Sequence, residues 1–278
     1  MSLLRALILD EGIIAPGVNL LTYRRIQILI LVVVVALASF VSANAQTEGL
    51  TPRQQRIRTQ QQRLNSSDAE ERRDALMKLK AMNHPEASRA ALPAINDAEP
   101  IVRIAAIHAL AALPAADAAA GLIPLLSDKQ EVVRREAAHA LGATHSRSGV
   151  QPLVQLLTTD KEAGVRAAAA LALGKIQDEA AVVPLVNILS GNKKEKSRNE
   201  FLQRSAAQAL GQIRSRAAVP GLIATLSDNE KAVDVRRAAA EALGAIGDAS
   251  ASPALKAAID SNDPYLVQAA RAALRRVH

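Results

Sequence analysis

The stretch VRREAAHALG, Val133 to Gly142, returns along the chain as VRAAAALALG at Val165–Gly174 and VRRAAAEALG at Val235–Gly244. LQRSAAQALG (Leu202–Gly211) and IVRIAAIHAL (Ile101–Leu110) are looser copies. In the first copy Val133, Ala137, Ala138 and Leu141 fall on one face at helical spacing, so the phrase reads as an amphipathic helix. Its closing leucine recurs at Leu79, Leu110, Leu141, Leu173, Leu210, Leu243 and Leu274, at intervals of 31, 31, 32, 37, 33 and 31 residues. A second series runs through Pro93, Pro124, Pro152, Pro184, Pro220 and Pro253. Two markers sharing one period define a repeated structural unit.

Each unit holds two short helices. After the Val-Arg helix comes turn chemistry, as in IQDE (176–179) and IGDA (246–249), where Asp178 and Asp248 are placed to cap the next helix. Proline then sits early in the second helix, where its missing N–H is tolerated. That helix buries residues such as Leu153, Val154, Leu156 and Leu157, and a polar turn (SDKQE, TTDKE, SDNEK) leads to the next Val-Arg. No such hairpin covers its apolar face alone, so neighbours must stack. The prediction is an all-α, right-handed α-solenoid of six to seven helical hairpins of about 31 residues, filling residues 68–278.

Composition agrees. Hydrophobic residues make up 49% of the chain and aromatics 1%, so the core must be built from Ala, Leu, Val and Ile. The absence of cysteine excludes disulfides, thiolate sites and lipid-modified cysteine. Net charge is +7, and +6 remains once the three arginines and two acids of the first 45 residues are set aside. Such an excess suits an acidic partner or a plain basic surface.

Residues 1–45 read as a targeting region. Arg24 and Arg25 precede an uncharged run from Ile26 to Val41, and Ala43-Asn44-Ala45 follows. These are the three parts of a secretory signal peptide, which predicts cleavage before Gln46 and a periplasmic or secreted product. The alternative is an uncleaved inner-membrane anchor formed by residues 26–43, and either reading translocates the rest of the chain. Residues 46–67 are polar and rich in Gln and Arg, and read as a tether.

The repeated phrase resembles the HEAT-like repeats, in particular the short alanine-rich kind of the phycobilisome lyases. The resemblance covers about residues 68–278 and implies the solenoid. It implies no single function, because such solenoids host scaffolds, lyases, hydroxylases and nucleic-acid enzymes. Arg72, Arg103, Arg134, Arg166 and Arg236 share one register, with Gln203 in the same slot. Asp97, Asp128 and Asp160 each lie six residues before an arginine. In HEAT-like repeats such residues form a hydrogen-bonded ladder, so the resemblance implies a structural role for Asp97, Arg103, Asp128, Arg134, Asp160, Arg166 and Arg236.

Catalytic chemistry finds little support. His108 and His139 occupy equivalent positions, but a metal site needs three or four ligands. The HEAT-like deoxyhypusine hydroxylases carry His-Glu pairs in this phrase, whereas the corresponding positions here read Arg135-Glu136 and no His-Glu dipeptide occurs. Both histidines are expected to face solvent, and no metal or other cofactor is expected. Phycobilisome lyases act on cytoplasmic proteins, which conflicts with export. Nucleic-acid enzymes of this fold use aromatic residues at the base, and beyond residue 45 only Phe201 and Tyr265 are aromatic.

What remains is a protein-binding scaffold, with a lyase- or hydroxylase-type enzyme using the repeat groove as the alternative. One and five places after the arginine slot, an outward face reads Ile104, Arg135, Ala167, Arg204, Arg237 and His108, His139, Leu171, Gln208, Glu241. These positions vary between repeats while the core slots hardly do. The 37-residue interval adds an insertion at Ser190–Phe201 carrying Lys193, Lys194 and Lys196. The expected partner is a protein with an acidic surface, read by Arg135, His139, Leu171, Arg204, Gln208, Arg237, Glu241 and the three lysines. No nucleic-acid contact is expected, and membrane contact only through an uncleaved N-terminal segment.

Overall fold

The computed structural model describes residues 28–35, 49–191 and 200–277. The chain divides into two compact units, Met1–Arg56 and Ile57–His278. In the first, residues 28–35 form a helical stretch with exposed apolar side chains. Among the described residues no helix is long and apolar enough to cross a membrane. The cleavage motif Ala43-Asn44-Ala45 and the remainder of the apolar run lie outside the described residues.

Every described element of the second unit is helical. Helix α1 (Pro52–Arg63) leads into it. The first three hairpins pair α2 (Ala69–Ala81) with α3 (Pro85–Ala91), α4 (Pro100–Ala109) with α5 (Ala115–Leu122), and α6 (Glu131–Ala143) with α7 (Val150–Thr159). Three more pair α8 (Ala163–Ile176) with α9 (Val182–Ser190), α10 (Glu200–Ile213) with α11 (Val219–Ser227), and α12 (Val233–Ile246) with α13 (Ser252–Ala258). A single helix, α14 (Pro264–Leu274), closes the stack. The result is an all-α solenoid of six hairpins and a closing helix.

The first helices of the hairpins form one continuous row, each packed on the next from α2 to α14. Six of the seven repeated leucines, Leu79 through Leu243, are at most 1% exposed, and only Leu274, at the end of the stack, is half-buried. The row is held close by glycine. Gly142, Gly174, Gly211 and Gly244 each face the alanine before the next repeat's leucine: Ala172, Ala209, Ala242 and Ala273. A Cβ added to Gly142 would lie 2.6 Å from the Ala172 Cα, and one on Gly244 would lie 2.7 Å from the Ala273 Cα. The obstacle in each case is backbone, which no rotamer change relieves.

The chain turns out of these helices by the expected chemistry. Gln177 and Gly247 end α8 and α12 in the left-handed region, and their N–H groups donate to Leu173 and Leu243 carbonyls. Asp178 and Asp248 then accept from the N–H groups of Ala180 and Ser250, opening short 3-10 turns before α9 and α13. Pro184, Pro220 and Pro253 fall within the first three residues of their helices. The first two repeats differ from the sequence reading. There the second helix starts earlier, at Pro85 and Ala115, and ends before Pro93 and Pro124. A proline without an N–H and in conflict with the carbonyl four residues back cannot continue an α-helix, and the backbone passes into 3-10 turns at Leu92–Asn96 and Ile123–Ser127.

The stretch expected as a tether is in part built into the repeat unit. Ile57 of α1 is 7% exposed within the core cluster, and Arg63 pairs with Glu71 at 3.2 Å and Asp74 at 2.7 Å on α2. One apolar residue and one arginine suffice to dock an otherwise polar helix. For the glycine contact, Gly142→Val should lower stability by about 2–3 kcal/mol, the upper part of the overpacking range. Gly164→Val, where an added Cβ meets nothing within 4 Å, should cost far less. Urea denaturation of both variants measures the difference.

Candidate functional site

The arginine slot lies at the start of the first-helix row, near the turn that leaves the preceding second helix. Arg103 donates from Nε and Nη2 to both Asp128 carboxylate oxygens, at 2.7 and 2.8 Å. Arg72 grips Asp97 in the same way at 2.7 and 2.8 Å, and Arg134 grips Asp160 at 2.6 and 3.0 Å. Each pair crosses from one hairpin to the next. Within its own hairpin each arginine reaches carbonyls instead, as Arg103 Nη1 does at Asp97 O (2.8 Å) and Ala98 O (3.0 Å). The aspartates also accept from the N–H two residues on, at Glu99, Gln130 and Glu162. The chain of contacts therefore runs Arg72–Asp97–Arg103–Asp128–Arg134–Asp160.

Arg166 and Arg236 lie outside this ladder, which corrects their sequence-based placement in it. Arg166 Nε donates to Leu157 O at 2.8 Å and Arg236 Nε to Leu226 O at 2.9 Å. The cause is legible in the register. A ladder aspartate stands 25 or 26 residues after its arginine, and those positions here hold Gly191 and Ser261. Conversely, Asp228 keeps its turn bond to Glu230 N–H, but the slot 25 residues before it holds Gln203.

The ladder carboxylates are held as anions. The Arg72 guanidinium keeps Asp97 below the ordinary 3.8 against the opposing effect of burial. Burial pushes Asp128 and Asp160 upward, but hydrogen bonds from Arg103 and Arg134, with backbone N–H groups, outweigh it and leave both lowered. Side-chain exposure along the ladder falls to 6% at Arg103 and 9% at Asp128. These charges face each other, not a ligand.

The outward face is less uniform than the sequence predicts. Arg135, Arg204, Gln208 and Glu241 are exposed, while Leu171 and Arg237 are half-buried. Ala167 is fully buried, because α8 is gripped on both sides through Gly142–Ala172 and Gly174–Ala209. Lys193, Lys194 and Lys196 lie outside the described residues. Gln208 and Glu241 come together with Gln177, Gln212 and Arg214 around a shallow depression of about 480 Å³ between α10 and α12.

The two histidines differ. His108 is exposed, its Nε2 3.7 Å from a Glu136 carboxylate oxygen. His139 is only half-buried and not the solvent-facing residue expected. Burial pushes its imidazole below the ordinary 6.5 despite Glu136, and the charges of Lys175 and Arg135 add to the depression. Among the described residues no three His, Asp or Glu side chains converge as a metal-holding group.

A row that sequence reading missed crosses the first turns of α10, α12 and α14. Arg204 lies over the Phe201 ring, 5.4 Å from its centroid, and 3.8 Å from Asp234. Arg237 approaches the same Asp234 at 3.0 Å and lies 6.0 Å from the Tyr265 ring centroid. Phe201, Asp234 and Tyr265 share one register, two residues before the arginine slot. The signal was available by comparing that slot across repeats.

A family model for HEAT repeats matches residues 58–141, 119–202 and 194–275. The chain belongs to the HEAT-repeat family. Among solved structures, these HEAT repeats are similar to an engineered protein (23% identity, TM-score 0.52, covering 79% of this chain and 67% of that one). They are similar also to the CpcE–CpcF complex of phycocyanin lyase from Nostoc sp. PCC7120 (25% identity, TM-score 0.48, 81% and 88% covered). A third likeness is to human deoxyhypusine hydroxylase (22% identity, TM-score 0.36, 80% and 96% covered). The engineered protein shows the fold shared with these HEAT repeats. No curated protein sequence matches the chain.

Two outcomes follow for the HEAT repeats. Asp128→Ala strands the buried Arg103 guanidinium and should cost about 3–5 kcal/mol, the scale for breaking a buried pair. Arg166→Ala removes one carbonyl bond and should cost about 1–3 kcal/mol; equal losses in urea denaturation would contradict the ladder boundary. As pH falls below 6.5 the unfolded chain takes up a proton that folded His139 resists, so stability should decline there. The depressed ladder aspartates keep their contribution above 3.8 and lose it as pH falls further. His139→Gln should remove the first decline in a stability–pH profile and leave the second.

Proposed function

We propose that this HEAT-repeat protein is an exported, non-enzymatic scaffold that binds a partner protein along the exposed face of its first-helix row. One observation carries the reading. The buried slots of these helices repeat small residues and leucine, while the outward slots change from helix to helix and carry Arg135, Arg204 and Arg237, with Arg204 beside Phe201 and Arg237 beside Tyr265. Positions released from packing are where a partner is read, and aromatic residues with arginine are the types enriched at binding hot spots. An acidic partner surface fits the arginines. Export rests on Arg24-Arg25, the uncharged run and Ala43-Asn44-Ala45.

The test is crosslinking and pull-down from the cell-envelope fraction. Arg135, Arg204 and Arg237 changed together to Glu should abolish capture of the partner and lower thermal stability only modestly, because the Asp234 pairs they break are exposed. The same charge change at Arg89, Arg147 and Arg216, on the second-helix side and 56–89% exposed, should leave capture intact. Capture should fade as ionic strength rises, because exposed charge contacts are weak and screened. Capture that survives both the first-row reversal and high salt would place the partner elsewhere. Mass spectrometry of the mature protein should find its N-terminus at Gln46, and retention of Ile26–Val41 would instead establish an anchor.

A further inference from the structure

We infer that the row Phe201–Arg204–Asp234–Arg237–Tyr265 docks an extended, polyproline-II-like protein segment with the pattern apolar-x-x-acid-x-x-apolar, Asp234 standing in the place of its acid. The inference rests on the scaffold reading and names the partner chemistry of the same face.

Single exposed apolar residues are ordinary on protein surfaces. These two are not single. Phe201 is 52% exposed and Tyr265 63%, they occupy one register on α10 and α14, and the core cluster beneath contains no aromatic residue. Each ring carries a guanidinium within about 6 Å, the range of cation–π attraction. That contact fixes long arginine side chains which would otherwise have to be ordered on binding.

Between the rings, two guanidiniums share one carboxylate. Asp234 offers Oδ1 to Arg237 at 3.0 Å and Oδ2 to Arg204 at 3.8 Å, so one carboxylate at this point touches both. The side chains of Arg204, Arg237 and Asp234 are 44%, 33% and 49% exposed. The row keeps a net charge of +1, and an incoming carboxylate reaches the arginines without opening the core.

Spacing selects the backbone of the partner. Phe201, Asp234 and Tyr265 stand on α10, α12 and α14, neighbours in the first-helix row, and packed helix axes lie about 8–10 Å apart. A polyproline II segment rises about 3.1 Å per residue with three residues per turn, so every third side chain returns to one face after about 9.3 Å. A β-strand repeats a face every second residue, at roughly 6.7 Å, and falls out of step. An apolar residue on each ring and an acid between them, three residues apart, matches the row. A charged polymer without apolar groups would leave both rings uncovered.

The probe is fluorescein-labelled Leu-Pro-Pro-Glu-Pro-Pro-Leu, titrated against the full chain by fluorescence anisotropy. Saturable binding is expected. Replacing the probe's Glu by Gln, or the protein's Phe201 or Tyr265 by Ala, should weaken it at least about five-fold, the level reached by fewer than a third of interface residues. Asp234→Asn removes the internal competitor and should tighten binding by about three-fold, within the range of an exposed ion pair. Thermal unfolding of the three protein variants should match the parent, because all three side chains are exposed or half-exposed. No saturation by about 1 mM, weaker binding in Asp234→Asn, or polyphosphate binding that displaces the probe and ignores loss of both rings would overturn the inference. Envelope capture lost in the arginine triple but kept in Phe201→Ala, Tyr265→Ala would also overturn it, and would leave the scaffold reading standing.

Discussion

How closely one first helix can approach the next governs this molecule. At Gly142, Gly174 and Gly244 the approach leaves no room for a methyl group, and at Gly211 very little. Alanine opposite each glycine is then the largest side chain the contact tolerates, and the row becomes a stack of small residues sealed by one leucine per turn of the repeat. A core of that kind has no place for an aromatic ring. Phe201 and Tyr265 are outside for the same reason that the row is close. Close contact also sets which outward slots reach solvent: it buries Ala167 and half-buries Leu171 on α8.

Packing of small residues is weakly directional, and the polar ladder supplies what it lacks. Each bidentate arginine–aspartate pair fixes one hairpin against the next in both distance and orientation. The same guanidinium satisfies carbonyls of the turn in its own hairpin, groups that would otherwise be costly to bury. Turn and interface are therefore secured by one side chain. Where the aspartate is missing, as opposite Arg166 and Arg236, the arginine turns back to a helix-end carbonyl and the bidentate link between hairpins is absent.

Repetition made most of the fold readable. A leucine and a proline recurring with one period fixed the number and order of hairpins, and Asp178 and Asp248 announced their turns. The ladder residues were visible, but the six-residue spacing did not say which aspartate each arginine grips: the carboxylate serves the preceding hairpin 25 residues back. Burial of individual outward slots was hidden because it depends on a neighbouring helix. The aromatic–arginine row escaped for a different reason. Self-alignment rewards what recurs, and Phe201, Asp234 and Tyr265 hold one slot with three different residues.

The unmatched ladder residues have a modular consequence. Arg166 lacks an aspartate and Asp228 lacks an arginine, and the interval between the leucines of α8 and α10 is 37 residues. Excision of residues 167–203 removes that one period and brings Asp228 to 25 positions after Arg166, the separation used by Arg72 and Arg103. The junction reads VRRSAAQALG, another copy of the phrase that builds every first helix. A shortened solenoid would thus gain a rung while losing a hairpin. The insertion-bearing repeat sits in the chain as a spacer between two stretches that are already in register with each other.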